Sequence, residues 1–144
     1  MEYNTFVKDF VKRTYRNLEH IEQSYSCNVD DVYEFTQLVN SLLGLLVIPQ
    51  EKERGRINND YVSEGILLLL QRSIILDDYN NDSFNEILRH MRNAIAHGSI
   101  EVSSTNGEIS SIKFTDRNRF IIELSCSQLR NFIRDFASNL LKKL

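Results

Sequence analysis

The stretch SFNEILRHMRNAIAHG, residues 83–98, predicts one helix together with its two ends. Ser83 can cap the first turn, and Glu86 stands three residues later, as in a capping box. Gly98 occupies the position where a left-handed residue ends many helices. Apolar residues recur between these ends at spacings of three and four: Phe84, Ile87, Leu88, Met91, Ala94 and Ile95. We therefore expect a helix over residues 84–97 that buries this apolar stripe.

The other side of this helix carries polar side chains that could perform chemistry. At about 100° per residue, Asn93 and His97 fall on one face, opposite the apolar stripe. Arg92 lies beside that face, and Arg89 is one turn before Asn93. The wheel thus predicts a guanidinium, an amide and an imidazole side by side near the C-terminal end of the helix.

These side chains suit metal-independent cleavage of RNA. A guanidinium donates two parallel hydrogen bonds to a phosphate and keeps its charge, whereas histidine exchanges protons near neutral pH. One His97 cannot act as base and acid together, so a homodimer would have to supply a second His97 and a second Arg92. Polar residues on the outer face of a helix also commonly face water without any chemical role. The spacing alone therefore leaves catalysis open.

Several segments before this helix also have helical or loop character. Helical spacing runs through residues 6–21 and from residue 30 to Pro49, where a proline stops the pattern. The polar stretch 49–59 is typical of an exposed loop. Helix is predicted again over 62–75, followed by a turn-rich run at 77–82.

The period changes from helical to alternating after Gly98. Apolar and polar residues alternate in segments 100–102, 112–114 and 120–124. Asn106-Gly107 lies between the first two segments and is a strong signal for a two-residue hairpin. The third segment could be a third short strand.

The C-terminal segment predicts a last helix that begins with Ser125 and Gln128 as a second capping box. The resulting prediction is a mainly α single domain over residues 1–144. It is an antiparallel helical bundle with a small β-hairpin inserted at about residues 99–124, between the helix 84–97 and the last helix.

Composition limits the class of protein. The chain has 144 residues and a net charge of −3, which argues against coating nucleic acid through bulk charge. Cys27 and Cys126 form no disulfide framework, the N-terminus has no secretion signal, and the apolar stretch 66–75 is too short to span a bilayer. We expect a cytoplasmic protein without membrane contact.

Other residue clusters give weaker signals. His20, His90 and His97 lack metal-ligand spacing with each other and with either cysteine. The acidic residues within 77–82 lack the ligand order of a calcium loop, so a solvated turn is expected there. No cofactor and no metal site is predicted.

The segment MRNAIAHG, residues 91–98, resembles the signature of the HEPN superfamily (higher eukaryotes and prokaryotes nucleotide-binding domains), an arginine followed after four to six residues by a histidine. FVKRTYRNLEHIE at 10–22 and YEFTQLVNSLLGLLVIPQE at 33–51 are similar to the first two helices of a small stand-alone bacterial branch. The resemblance implies a bundle of four or more helices and homodimers that pair the motif helices. Many members are metal-independent endoribonucleases in toxin–antitoxin or phage-defence systems.

Residue by residue, the resemblance assigns catalysis to Arg92, Asn93 and His97. Arg92 would bind the phosphate and stabilise the transition state, His97 would be the general acid and base, and Asn93 would orient either group. Arg89 lies outside the motif and is a substrate-binding candidate from its wheel position alone. Ser99 stands where some family toxins carry a tyrosine that a partner nucleotidyltransferase modifies.

Three hypotheses follow from the resemblance. The first is a homodimeric endoribonuclease that binds RNA transiently, with a possible antitoxin as partner. The second is a non-catalytic homodimer that binds a nucleotide or a protein. The third is a toxin-like subunit that depends on a nucleotidyltransferase, and Ser99 argues against it.

Overall fold

The computed structural model describes residues 3–25, 40–46, 57–105 and 108–143 of the chain. Five helices lie in these ranges: α1 (Tyr3–Tyr25), α2 (described over 40–46), α3 (Glu64–Arg72), α4 (Phe84–Ala96) and α5 (Cys126–Lys143). Four strands also lie there: β1 (Ile74–Asp77), β2 (Ile100–Thr105), β3 (Glu108–Asp116) and β4 (Phe120–Ser125). A short 3-10 turn at Asn59–Tyr61 precedes α3.

The four strands form one antiparallel sheet in the order β1-β4-β3-β2. The predicted fold class, a helical bundle with a small hairpin, was therefore wrong. β4 occupies the sheet interior, and its inward residues Phe120, Ile122 and Leu124 are all buried. A sheet of this size, covered by helices on its apolar face, is one of the main layers of the fold rather than an insertion.

Strand β1 lies where the sequence predicted the end of a helix. Helix α3 stops at Arg72, and the side chain of Ser73 donates to the carbonyl of Leu69 at 2.7 Å. The next residues pair with β4, with Ile74 opposite Ile122. β-branched residues favour a pleated surface, and a distant strand supplies the hydrogen bonds here. The predicted helix over 62–75 therefore ends three residues early.

Helix α4 confirms the best-supported prediction, with one difference at its start. The Ser83 hydroxyl accepts from the Glu86 N–H at 3.4 Å, whereas the Ser83 N–H donates to Asn81 rather than to Glu86. Only half of the capping box is formed, because the Glu86 carboxylate binds Arg89 instead. The predicted stripe is buried except for the half-buried Ile95.

Helix α5 begins with both halves of its predicted capping box. The Ser125 N–H donates to the side chain of Gln128 at 2.9 Å, and the Gln128 N–H donates to the Ser125 hydroxyl at 3.1 Å. α5 packs on α1 and on the sheet, whereas α4 packs on β3. The aromatic rings of Phe84 on α4 and Phe136 on α5 meet edge to face at 5.2 Å between centroids. The two helices therefore share one apolar core above the sheet.

Three predictions lie wholly or partly outside the described residues. They are the start of the second helix, most of the loop 49–59, and the Asn106-Gly107 turn, although β2 and β3 pair up to Thr105 and Glu108. None of the described helices is long and apolar enough to cross a membrane.

Candidate functional site

Helix α4 ends in a Schellman motif that places His97 at the surface. The Ser99 N–H donates to the carbonyl of Ala94 at 2.8 Å, and the Gly98 N–H donates to that of Ile95 at 3.1 Å. Gly98 has a φ of +67°, the left-handed conformation that glycine adopts without strain. His97 is the C-cap residue itself, and its side chain is exposed. The predicted glycine cap is confirmed, and the imidazole is accessible to a ligand.

Asn93 does not face solvent as the helical wheel predicted. Its side chain is half-buried and donates from Nδ2 to Oδ2 of Asp116 on β3, at 3.2 Å. Its carbonyl accepts from the N–H of His97 at 3.0 Å. Asn93 therefore connects the end of the helix to the sheet, and its amide is held in one direction by a buried carboxylate.

The carboxylate of Asp116 is also bound to a buried histidine. Nδ1 of His90 lies 2.7 Å from Oδ2 of Asp116, and the His90 side chain is fully buried while that of Asp116 is 2% exposed. A carboxylate can only accept, so Nδ1 carries the proton. Neither His90 nor Asp116 was predicted from the sequence to have this role. The signals were nevertheless there: His90 borders the apolar stripe, and Asp116 continues the inward-facing alternation of Ile112 and Phe114.

Aromatic rings enclose this buried pair. The imidazole of His90 stacks on Phe120 at 4.3 Å between centroids and lies 4.8 Å from the ring of Tyr79. Its Nε2 atom has no hydrogen-bond partner within the described residues, the nearest carboxylate oxygen being Oε2 of Glu86 at 3.8 Å. The imidazole therefore contacts two aromatic rings and donates from Nδ1 to Asp116.

The surroundings of Asp116 favour its ionised form. Burial by itself would raise its pKa, but the hydrogen bonds from His90 and Asn93 and the nearby charge of Arg117 outweigh burial. The pKa of Asp116 is therefore below its ordinary value. At neutral pH a buried negative charge lies beneath the C-terminal half of α4.

The two arginines of α4 occupy different environments. Arg89 binds Glu86 through Nε at 3.2 Å and Nη2 at 2.7 Å, and this hydrogen bonding raises its pKa above the ordinary value. Its charge is thus already shared with a carboxylate, which weakens the predicted substrate-binding role. Arg92 is half-buried and makes contacts of its own.

Arg92 and His97 do not point in the same direction from one helix. Five positions correspond to about 140° of rotation at 100° per residue. The predicted side-by-side display of Arg92, Asn93 and His97 is therefore not formed within one chain: His97 is exposed at the helix end, and Asn93 is directed at β3. A second copy of the helix would be needed to bring another guanidinium or imidazole to the same phosphate.

Two further observations bear on ligand binding. Within the described residues, no group of three histidine, cysteine, aspartate or glutamate side chains could hold a metal ion. A cleft of about 530 Å³ lies near Asn59 and Ser83, at the N-terminal end of α4. The 13 residues of α4 separate it from His97, a length of about 20 Å, so this cleft is not part of the motif site.

The full length of the chain, residues 1–144, matches the profile of a known family, HEPN pEK499 p136. The chain belongs to this HEPN family. The resemblance found in residues 91–98 is thereby confirmed at the level of the superfamily. No curated protein and no solved structure is significantly similar to the chain.

Membership supports a HEPN-type function in general. In this HEPN protein the motif lies at the C-terminal end of α4, where the helix meets the sheet through Asn93 and Asp116. The His97 side chain is exposed there, whereas His90, seven residues earlier, is enclosed. Of these two histidines, only His97 is exposed to solvent.

Proposed function

We propose that this HEPN protein is a metal-independent endoribonuclease whose site combines Arg92, Asn93 and His97 from two copies of the chain. The observation that carries the proposal is the exposed imidazole of His97 at the end of the family's motif helix. The side chain is exposed, and an imidazole can act as a general acid or base.

The reaction that fits these groups is attack of a ribose 2′-oxygen on the adjacent phosphorus. His97 of one copy accepts the 2′-hydroxyl proton as the new P–O bond forms. The bond from phosphorus to the 5′-oxygen breaks, and a second imidazole gives that oxygen a proton. The products are a 2′,3′-cyclic phosphate and a free 5′-hydroxyl, and no metal-bound water takes part.

Arg92 fits the role of the group that stabilises negative charge on the phosphorus oxygens. A guanidinium group is planar and can donate two parallel hydrogen bonds to a phosphate. A preorganised donor of this kind contributes about 100- to 1,000-fold to the rate in comparable sites. Asn93, held by Asp116 at 3.2 Å, would keep the end of α4 and so His97 in place.

The dimer follows from the chemistry. Acid and base catalysis needs two proton-transfer groups, whereas one chain offers one exposed motif histidine. Two antiparallel α4 helices related by a twofold axis would place two Arg92 and two His97 around one cleft. We propose a role in bacterial toxin–antitoxin or phage defence, with RNA as a transient partner.

Growth on induced expression tests this function in the cell. We expect the wild-type chain to slow bacterial growth and to reduce intact cellular RNA, and His97→Ala to restore both. His20→Ala is the matched control, because His20 is an exposed histidine on α1, outside the motif. Toxicity that is the same for His97→Ala and wild type would contradict the proposal. RNA binding without cleavage would instead favour a non-catalytic binding homodimer.

A further inference from the structure

The turn between β3 and β4 has an unusual backbone. Arg117 and Asn118 have φ values of +55° and +57°, and the Arg119 N–H donates to the carbonyl of Asp116 at 3.1 Å. Two consecutive positive φ values are typical of a type I′ turn, which prefers asparagine and glycine. Arginine is uncommon in this conformation. The long cationic side chain of Arg117 therefore stands at a position that a glycine would fit with less strain.

The turn presents two exposed cations. Neither Arg117 nor Arg119 forms a salt bridge with any residue that the structure describes, and both are exposed. The Arg119 guanidinium lies 4.6 Å from the ring centroid of Tyr79, a cation–π contact that restricts its motion. The Asp78 N–H fixes the Arg119 carbonyl at 2.9 Å. Both arginines are therefore accessible, and Arg119 is held in place by these contacts.

The same turn adjoins the end of the motif helix. The Thr115 N–H donates to the carbonyl of Ser99 at 3.0 Å, so the end of β3 is tied to a residue two positions after His97. A cleft of about 230 Å³ opens between them, lined in part by Gly98, Ser99, Thr115 and Asn118. Ile100 and Glu101 complete the lining, and the Glu101 carboxylate is paired with the Lys113 ammonium at 3.5 Å. The hydroxyl, amide and backbone groups of the cleft can bind a ribose or a base edge.

We propose that the β3–β4 turn is a substrate-binding arm for single-stranded RNA. Arg117 and Arg119 would contact phosphates next to the one that is cleaved, and the cleft that Asn118 lines would receive the adjoining nucleotide. The inference rests on the proposed function, because it extends the site around His97. It supplies the substrate grip for which Arg89, already bound to Glu86, is poorly suited.

Few phosphate contacts are expected, which agrees with the net charge of −3. Each phosphate neutralised on a single strand contributes about 0.7 to the slope of log affinity against log salt. An arm with two arginines would therefore give weak, salt-sensitive binding. Single strands fit better than duplexes, because their riboses and bases can enter a small cleft.

The test measures binding of a short fluorescent RNA whose riboses carry 2′-O-methyl groups and so cannot be cleaved through the 2′-oxygen. The variants are Arg117→Gly, which removes the charge and suits a positive φ, and Arg117→Lys, which keeps the charge. Arg72→Ala is the control, since Arg72 is an exposed arginine at the end of α3. The salt concentration is varied between about 50 and 200 mM. All binding measurements are made at a temperature well below the melting temperature of each variant.

We expect Arg117→Gly to weaken binding about 3- to 10-fold and to flatten the salt slope by about 0.7. Arg117→Lys and Arg72→Ala should keep the wild-type slope. If Arg117→Gly binds RNA with the affinity and the salt slope of wild type, the proposed arm is overturned. The proposed function is unaffected by that result if Arg92→Ala still lowers RNA cleavage. If wild type neither binds nor cleaves RNA, both the arm and the proposed function are overturned.

Discussion

Nδ1 of His90 donates to Oδ2 of Asp116 at 2.7 Å, across the contact between the motif helix and strand β3. The same carboxylate oxygen accepts from Asn93 at 3.2 Å, so a buried hydrogen-bond network lies directly under the HEPN motif. A buried carboxylate that lost its donors would be strongly destabilising. The network therefore couples the stability of the fold to the placement of a motif residue.

The lowered pKa of Asp116 predicts acid sensitivity. Because its pKa is below the value of about 3.9 in the unfolded chain, the unfolded state binds the proton more tightly, and acid favours unfolding. The stabilisation is complete at pH values above the pKa of Asp116 in the unfolded chain. It is lost as the pH falls towards the lower pKa of Asp116 in the folded protein. Asp116→Asn should lower the free energy of unfolding by about 1–3 kcal/mol at neutral pH. Urea titrations should show this difference shrinking below about pH 4, and a constant difference would contradict it.

His90→Phe should separate the shape of the imidazole from its hydrogen bond. Phenylalanine can keep the stacking on Phe120, but it leaves Asp116 without its Nδ1 donor. We expect a loss of about 1–3 kcal/mol in the free energy of unfolding. In an Asp116→Asn background the loss should be smaller, with a coupling energy of about 0.5–3 kcal/mol by double-mutant cycle. Strictly additive losses would show that the two side chains do not interact.

Asn93→Asp should create a pH-dependent defect. The new carboxylate would lie against Asp116 at about the present 3.2 Å. Like charges raise the pKa of one partner, so stability should be low at neutral pH and should rise as the pH falls to about 5. Asn93→Ala is the control, because it removes one hydrogen bond, worth about 1 kcal/mol, without adding a charge. Identical pH profiles for the two variants in thermal melts would refute the predicted contact.

Gly98→Ala should destabilise the end of α4 through the backbone alone. A Cβ at this position meets no described atom within 4 Å, whereas φ is +67°. The expected loss is about 1–2 kcal/mol, measured by chemical denaturation. Gly98→Asn should lose less, since asparagine tolerates the left-handed cap. Equal stability of Gly98→Ala and wild type would argue against the Schellman motif.

Local sequence signals predicted the elements whose ends are encoded nearby. Both ends of α4 and the start of α5 follow from residues within one turn, such as Gly98 and the pair Ser125 and Gln128. The alternation in β4 also sufficed, because each inward residue is apolar. These features need no knowledge of distant partners.

The features that were missed depend on contacts between distant residues. Ile74–Asp77 continues an apolar helical pattern, and it becomes a strand through pairing with β4, more than 40 residues later. His90 and Asp116 are 26 residues apart, and neither is unusual until α4 packs on β3. Asn93 turned inward for the same reason, since a helical wheel does not show a polar group in the opposing sheet.

The most direct test is incubation of purified protein with RNA in EDTA, comparing wild type, Arg92→Ala and His97→Ala. His20→Ala and Arg72→Ala serve as controls, since both replace exposed residues outside the motif. We predict that wild type and both controls leave cyclic-phosphate ends, whereas the two motif variants lose at least about 100-fold in rate. Cleavage at equal rates by all five proteins, or by none, would contradict a nuclease site on α4.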